Sequence, residues 1–382
     1  MTALARSLRF GVLQLKVGKN KRENVENAIR GILNMVKESK PRVIALPECF
    51  NCPYGTKYFG EYSESIPDGY TCQILSHVAK EQGIYLIGGT IPEKDNGAIY
   101  NTCTVWSPTG DLIGKHRKMH LFDIDIVGGV RFKESEVLSA GNDFTMVNID
   151  GVKVGIGICY DIRFEEMARI YRNEGCEILV YPGAFNMSTG PLHWELLARS
   201  RANDNQLFVA AVSVARDESA DYIAWGHSMI VDPWGKVVDR LNEKEGLFVV
   251  DMDLSLTEKV RQQIPTSFQR RTDIYSTERK GKCSWNLHMN RTKVCKQENT
   301  RKGISDSEVN LVDGRLTKEN TGPEMRELQH YLREMKDPPR IIPIRSIINM
   351  TSFVEARPHP TLASYDDPIT AEVLEDLENG SE

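Results

Sequence analysis

The 382-residue chain has no uninterrupted apolar stretch near the roughly 18 residues of a membrane-spanning helix, so no span is expected. An excess of charge of one sign is also missing. Lys and Arg number 48 against 53 Asp and Glu, a net charge of −5 with both signs mixed throughout, whereas a nucleic-acid binder is usually basic. The opening Met1-Thr2-Ala3-Leu4-Ala5-Arg6-Ser7 lacks a long apolar core and a small-residue cleavage site, so a secretory leader is not expected. Eight cysteines without an export signal read as reduced thiols, which makes the cytoplasm the expected location. Metal-ligand patterns are sparse. Cys49 and Cys52 form one pair with no second pair nearby. His116 and His120 are four apart, but Arg117 stands where a zincin carries glutamate. Gly151, Gly155 and Gly157 lie in and before a strand and form no dinucleotide loop. Neither a metal nor a cofactor is expected.

What is present centres on one cysteine. Cys159 ends the apolar run Gly155-Ile156-Gly157-Ile158 and is followed by Tyr160-Asp161-Ile162-Arg163-Phe164. The run predicts a buried strand and the following Glu165-Glu166-Met167-Ala168-Arg169-Ile170 a helix. A cysteine at such a junction points its sulfur off the sheet edge. A helix N-terminus nearby favours thiolate, and the turn amides can receive an oxyanion. By itself, a cysteine ending a strand is more often plain core. Two further segments change that balance. Val43-Ile44-Ala45-Leu46-Pro47 runs as a strand into Glu48, a candidate general base where α/β sheets place their sites. Leu112-Ile113-Gly114-Lys115-His116-Arg117 leaves the turn at Pro108-Thr109-Gly110-Asp111 and ends at Lys118, a candidate electrophile.

Residues 1–280 alternate strand and helix patterns. Val25, Ala28, Ile29, Ile32, Leu33 and Val36 recur at helical spacing over 21–38. Strands are predicted near 43–46, 84–91, 99–107 and 112–118, and Asp150-Gly151 signals a hairpin between 144–149 and 152–159. A helix near 164–174, a strand at 177–182, a helix near 192–206 and a strand at 207–213 follow. The domain closes with strands at 227–232, 236–241 and 246–252. Mixed hairpins and βαβ units predict two sheets with helices outside. Residues 281–382 change character. They are polar, carry Pro338, Pro339, Pro343, Pro358, Pro360 and Pro368, end in an acidic run, and read as a largely disordered extension. Within it Met325, Leu328, Leu332 and Met335 predict a short amphipathic helix near 323–336.

Glu48, Lys118 and Cys159, each ending a strand, come in the order and with the flanks of the nitrilase superfamily, whose members use a Glu-Lys-Cys triad. Leu46-Pro47-Glu48, His116-Arg117-Lys118 and Gly157-Ile158-Cys159-Tyr160-Asp161-Ile162-Arg163-Phe164 carry the resemblance, which spans residues 8 to about 278. A second family glutamate matches Glu134, which the resemblance assigns to holding Lys118. The resemblance implies an α-β-β-α sandwich and a homodimer. Glu165 stands where many relatives have proline, at a predicted helix start that suits an acid. Pro47 to Phe59, His120 to Asp125, Tyr181 to Asn186, Gly190 to Leu197 and Arg261 to Pro265 resemble the ω-amidase branch. That branch deamidates 2-oxoglutaramate and 2-oxosuccinamate. It implies a substrate-carboxylate clamp of Arg163 with Tyr54 and Thr189, and Phe185 is a further candidate for the pocket wall. The expected chemistry is amide hydrolysis through a Cys159 thioester, with the oxyanion between Lys118 and the Tyr160 amide. The expected partner is a small ω-amide. Alternatives are deaminated glutathione, an N-carbamoyl substrate, or an inert domain whose tail recruits partners.

Overall fold

A computed structural model describes residues 6–127 and 131–280. The expectations for 281–382, including the helix near 323–336, lie outside the described residues. In chain order the strands are β1 (Ser7–Gln14), β2 (Val43–Ala45), β3 (Tyr85–Asp95), β4 (Ala98–Trp106), β5 (Leu112–Arg117), β6 (Asp123–Asp125), β7 (Arg131–Lys133), β8 (Thr145–Ile149), β9 (Val152–Ile156), β10 (Ile178–Gly183), β11 (Phe208–Ser213), β12 (Met229–Val231), β13 (Val237–Arg240) and β14 (Gly246–Asp253). The helices are α1 (Lys21–Ser39), α2 (Thr56–Tyr62), α3 (Tyr70–Gln82), α4 (Glu165–Asn173), α5 (Gly190–Asn205) and α6 (Ser255–Gln263).

Two six-stranded sheets form, ordered β14-β1-β2-β3-β4-β5 and β13-β12-β11-β10-β9-β8. Each has a parallel centre: β1, β2 and β3 in the first, and β9, β10 and β11 in the second. Antiparallel strands flank both centres. The inner faces share one apolar core. Phe10, Val12, Ala45, Ile87 and Val105 of the first sheet lie in the same cluster as Val154, Ile156, Val180 and Ala211 of the second. Strands buried on both faces read as continuous apolar runs rather than alternations, which is why β2, β10 and β11 are legible in the sequence. The α-β-β-α expectation therefore stands.

The first helix shows how local chemistry sets an element. Asn20 caps α1 by accepting from Arg22 N and Glu23 N, and Val25, Ala28, Ile29, Ile32 and Met35 face the sheet. Lys40 ends it in the left-handed region at φ 46°. Several features depart from the sequence reading. The strand expected to run to residue 159 stops at Ile156, and Cys159–Arg163 form a 3-10 turn. Helices α2, α3 and α6 and the small hairpin β6–β7 were not anticipated. In α3 the buried set Thr71, Cys72, Ile74, Leu75, Val78 and Ala79 includes polar and small residues, which dilutes the periodic signal.

Candidate active site

The ends of β2, β5 and β9 lead into three of the candidate residues. Past β2, Leu46 N donates to Ile87 O and Pro47 O accepts from Thr90 N, which pins the Leu46-Pro47-Glu48 segment to β3. Gly89 makes that approach possible: its φ is +58°, and a Cβ there would lie 2.2 Å from Pro47 O. Past β5, Lys118 N donates to Asn101 O, and Lys118 O accepts from Gly141 N. Past β9, Gly157 N donates to Val180 O before the chain enters the Cys159 turn. Glu134 follows β7 on a short 3-10 turn. Phe122 holds it twice, donating its amide to Oε2 at 2.7 Å and accepting the Glu134 amide at 3.2 Å.

Glu48, Lys118 and Glu134 are fully buried and in contact. Lys118 Nζ lies 3.0 Å from Glu48 Oε1 and 2.9 Å from Glu134 Oε2. Asn101 Nδ2 donates to Glu48 Oε1 at 2.8 Å, and the Tyr54 hydroxyl donates to Glu134 Oε1 at 2.6 Å. Burial alone would lower the Lys118 ammonium, but Glu134 and Glu48 outweigh it and hold the group well above the usual lysine range. Burial pushes Glu48 up, and Lys118 only partly offsets it. Oε2 of Glu48 makes no hydrogen bond of ordinary geometry, and the donor acting on this carboxyl besides Lys118 and Asn101 is the Cys159 thiol. The sulfur itself is buried, with Cys159 at 3 % exposure. Burial and then Glu48 raise its thiol well above the ordinary range, while Lys118 and the Ala184 amide act the other way. The helix N-terminus expected to favour thiolate is outweighed here by burial. Desolvation dominates, and the resting group is a thiol beside a base.

The other candidates fall into two groups. Arg163 and Phe185 lie together, with the guanidinium 4.8 Å over the Phe185 ring and 5.4 Å over Tyr160. Arg163 Nη1 is 3.2 Å from His193 Nδ1, and its Nε has no partner. It makes no ion pair with Asp161, the alternative that proximity in sequence offers, because Asp161 is buried and turned elsewhere. Tyr54 instead sits with Glu134 and Lys118. Thr189 begins α5, and its hydroxyl donates to Asn186 Oδ1 at 3.0 Å. That bond holds it in the turn that leads into α5.

A family model described as carbon-nitrogen hydrolase matches residues 9–262. The chain belongs to the carbon-nitrogen hydrolase family. It is 54% identical over 272 residues to a Xenopus tropicalis protein named omega-amidase NIT2, covering 71% of this chain and 98% of that one. The human protein of the same name is 52% identical over 274 residues, covering 72% and 99%. Among solved structures, Saccharomyces cerevisiae Nit3, a member of branch 10 of the nitrilase superfamily, superposes with a TM-score of 0.66 at 41% identity. That match covers 71% of this chain and 99% of Nit3.

Two features of this carbon-nitrogen hydrolase escaped the sequence reading. Tyr222 packs 4.6 Å from Tyr54 and 5.7 Å from Phe132, and its hydroxyl donates to Ala184 O at 2.6 Å. With Glu48, Cys49 and Cys52 it lines a narrow cavity of about 40 Å³. A tyrosine in the polar segment Asp217–Tyr222 carries no periodic signal. The second is Asp161, which accepts from Ile158 N, His120 N, His120 Nδ1 and His116 Nε2. The spacing of His116 and His120 had suggested only a failed metal pair. Their acceptor lies 41 or more residues away in sequence.

Proposed function

We propose that the chain is an ω-amidase that hydrolyses 2-oxoglutaramate and 2-oxosuccinamate to the 2-oxo dicarboxylate and ammonia through a Cys159 thioester. The observation that carries this reading is the buried lysine shared by two carboxylates beside the Cys159 thiol. Identity above 50% over nearly the full length of proteins named omega-amidase supports the substrate class.

The chemistry follows from the protonation pattern. The Glu48 carboxylate takes the Sγ proton as sulfur attacks the amide carbon. The carbonyl electrons move to oxygen, and Lys118 with the Tyr160 amide stabilises that charge. Collapse breaks the C–N bond while Glu48 returns the proton to nitrogen, releasing ammonia. The raised Glu48 carboxyl suits this acid role. A water then attacks the thioester as Glu48 accepts its proton. The cavity of about 40 Å³ beside Glu48 has room for that water. The second collapse expels sulfur, which recovers the proton. Glu134 keeps Lys118 cationic and in place. Arg163 with its unpartnered Nε takes the carboxylate of the 2-oxo end, Phe185 and Tyr54 bound the pocket, and Thr189 acts from the start of α5.

A homodimer and a cytoplasmic location belong to the same proposal. Leu192 and Leu196 are exposed on α5 and offer an apolar face for pairing. The six cysteines among the described residues are all free and buried, which suits a reducing compartment. The full chain is assayed for ammonia release from 2-oxoglutaramate, deaminated glutathione and an N-carbamoyl amino acid. The expected result is strong preference for 2-oxoglutaramate, and activity at least about 10⁴-fold lower in Cys159→Ala. Preference for either other substrate overturns the substrate class, and an active Cys159→Ala overturns the mechanism.

A further inference from the structure

We infer that Asp161 is a positioning residue that sets the Lys118 segment against the Cys159 turn, and so holds nucleophile and ammonium in register. The inference rests on the function proposed above for what it does to turnover, but not for its geometry.

The geometry is unusual in one respect. Asp161 is completely buried, and its two oxygens reach in different directions. Oδ2 accepts from the backbone N–H of Ile158 at 2.9 Å, immediately before Cys159, and from His116 Nε2 at 3.3 Å. Oδ1 accepts from the backbone N–H of His120 at 2.9 Å and from His120 Nδ1 at 2.8 Å. His116 and His120 stand two residues before and two after Lys118. One carboxylate therefore bridges two segments that are 41 residues apart, with a backbone donor from each on a separate oxygen. Cys159 lies inside the bridge with φ at +46°, a conformation costly for a residue with a Cβ. Such a backbone persists only where its surroundings enforce it. The Ile158–Asp161 bond closes the turn from one side. Arg201 closes it from the other, donating to Ile162 O at 2.8 Å and Arg163 O at 2.9 Å. His120 is further held by stacking on Phe164, with centroids 3.6 Å apart.

The bridge requires a carboxylate. Either histidine could offer its other tautomer to an amide, because imidazole nitrogens exchange donor and acceptor roles. The two backbone N–H groups cannot. An asparagine at 161 presents one oxygen and one NH₂, so either the Ile158 or the His120 amide must face a donor. Asp161→Asn thus keeps the volume and breaks one end of the bridge. Misplacement of a reacting group by about 1 Å can cost ~10²-fold in rate.

The test uses full-length parent, Asp161→Asn and His120→Phe. His120→Phe keeps the stack on Phe164 and the backbone donor but removes Nδ1. Folding is checked by circular dichroism and thermal melting, and all rates are taken well below the melting midpoint. Two rates are read: ammonia release from 2-oxoglutaramate, and alkylation of Cys159 by iodoacetamide followed by mass spectrometry. For Asp161→Asn the expected result is kcat lower by about 10²-fold with KM changed less than about threefold, and alkylation slowed at least about tenfold. His120→Phe is expected to shift both rates the same way by about three- to tenfold. A folded Asp161→Asn with parental kcat and alkylation rate overturns the inference. So does a loss of activity that equals the unfolded fraction, because a merely stabilising residue leaves each folded molecule fully active. If Asp161→Asn does not fold, parental rates in His120→Phe overturn it. If the parent releases no ammonia, the proposed function fails, and the alkylation rates still decide the inference.

Discussion

Two buried ionic centres meet the Cys159 turn, and they are satisfied to different degrees. In one, Lys118 sits between Glu48 and Glu134, and one oxygen of Glu48 is left without a hydrogen bond of ordinary geometry. In the other, Asp161 has both oxygens filled by four donors. Leaving a buried acceptor unpaired costs about 1–3 kcal/mol, so folded proteins rarely do it without a reason. At Glu48 an oxygen is left open on the carboxyl that the Cys159 thiol acts on, where a proton must move. At Asp161 nothing is open, and the group can only hold. The electrostatics follow the same division. Burial raises Glu48 towards a useful acid–base range, whereas the two histidines overcome burial at Asp161 and keep it well below the usual carboxylate range. Reactivity and rigidity are thus assigned to different carboxylates.

The sharpest way to break the first centre is Lys118→Met. It removes the oxyanion donor and leaves two buried carboxylates facing each other. Ammonia release should fall by about 10²–10³-fold, and urea unfolding should show a loss of roughly 3–5 kcal/mol. An active Lys118→Met would deny that the lysine is shared for a chemical purpose. The second test uses pH. Glu48 must be ionised to accept the thiol proton, and its carboxyl is raised. The acid limb of kcat/KM should therefore lie above the ordinary glutamate value of about 4.3, with activity falling tenfold per pH unit below it. A limb at or under that value contradicts the assignment.

The same variable reads the second centre with the opposite sign. A carboxylate held below its unfolded value adds stability that is complete above the unfolded pKa of about 3.9 and fades as pH falls through the lower folded one. The stability gap between parent and Asp161→Asn should be level from pH 7 to about 4 and close below that. A gap unchanged down to pH 2 would mean that the charge of Asp161 contributes nothing. The mildest probe is Tyr54→Phe, which deletes the 2.6 Å bond to Glu134 and the longer 3.5 Å one from Lys118. It should lower stability by about 1 kcal/mol and activity by less than about tenfold, since Lys118 and Phe122 still hold that carboxylate. A larger loss would give Tyr54 a direct part in turnover.

These two centres were unequally legible. Lys118 directly follows β5, and Glu48 and Cys159 each lie three residues past an apolar strand, a local pattern that sequence displays. Glu134 came only through resemblance, because a carboxylate on a short 3-10 turn after a three-residue strand has no periodicity to mark it. In the sequence Asp161 stands out only as part of a motif, and Tyr222 carries no signal at all. Each acts through partners distant in the chain: His116 and His120 for the first, and Tyr54 and Ala184 for the second. The helix start at Glu165 was readable from its acids, while the stop of β9 at Ile156 was not. That stop depends on hydrogen bonds from the turn to Asp161 and Arg201 rather than on propensity.

By itself, the sequence determined the sheet-forming runs, the order of the three chemical segments and their place at strand ends, because hydrophobic pattern and chain polarity are local properties. Tertiary structure alone decided which lone pair stays open, which carboxylate is saturated, and that burial pushes the thiol up. Those outcomes depend on desolvation and on donors brought in from other strands, and neither exists until the two sheets close on each other.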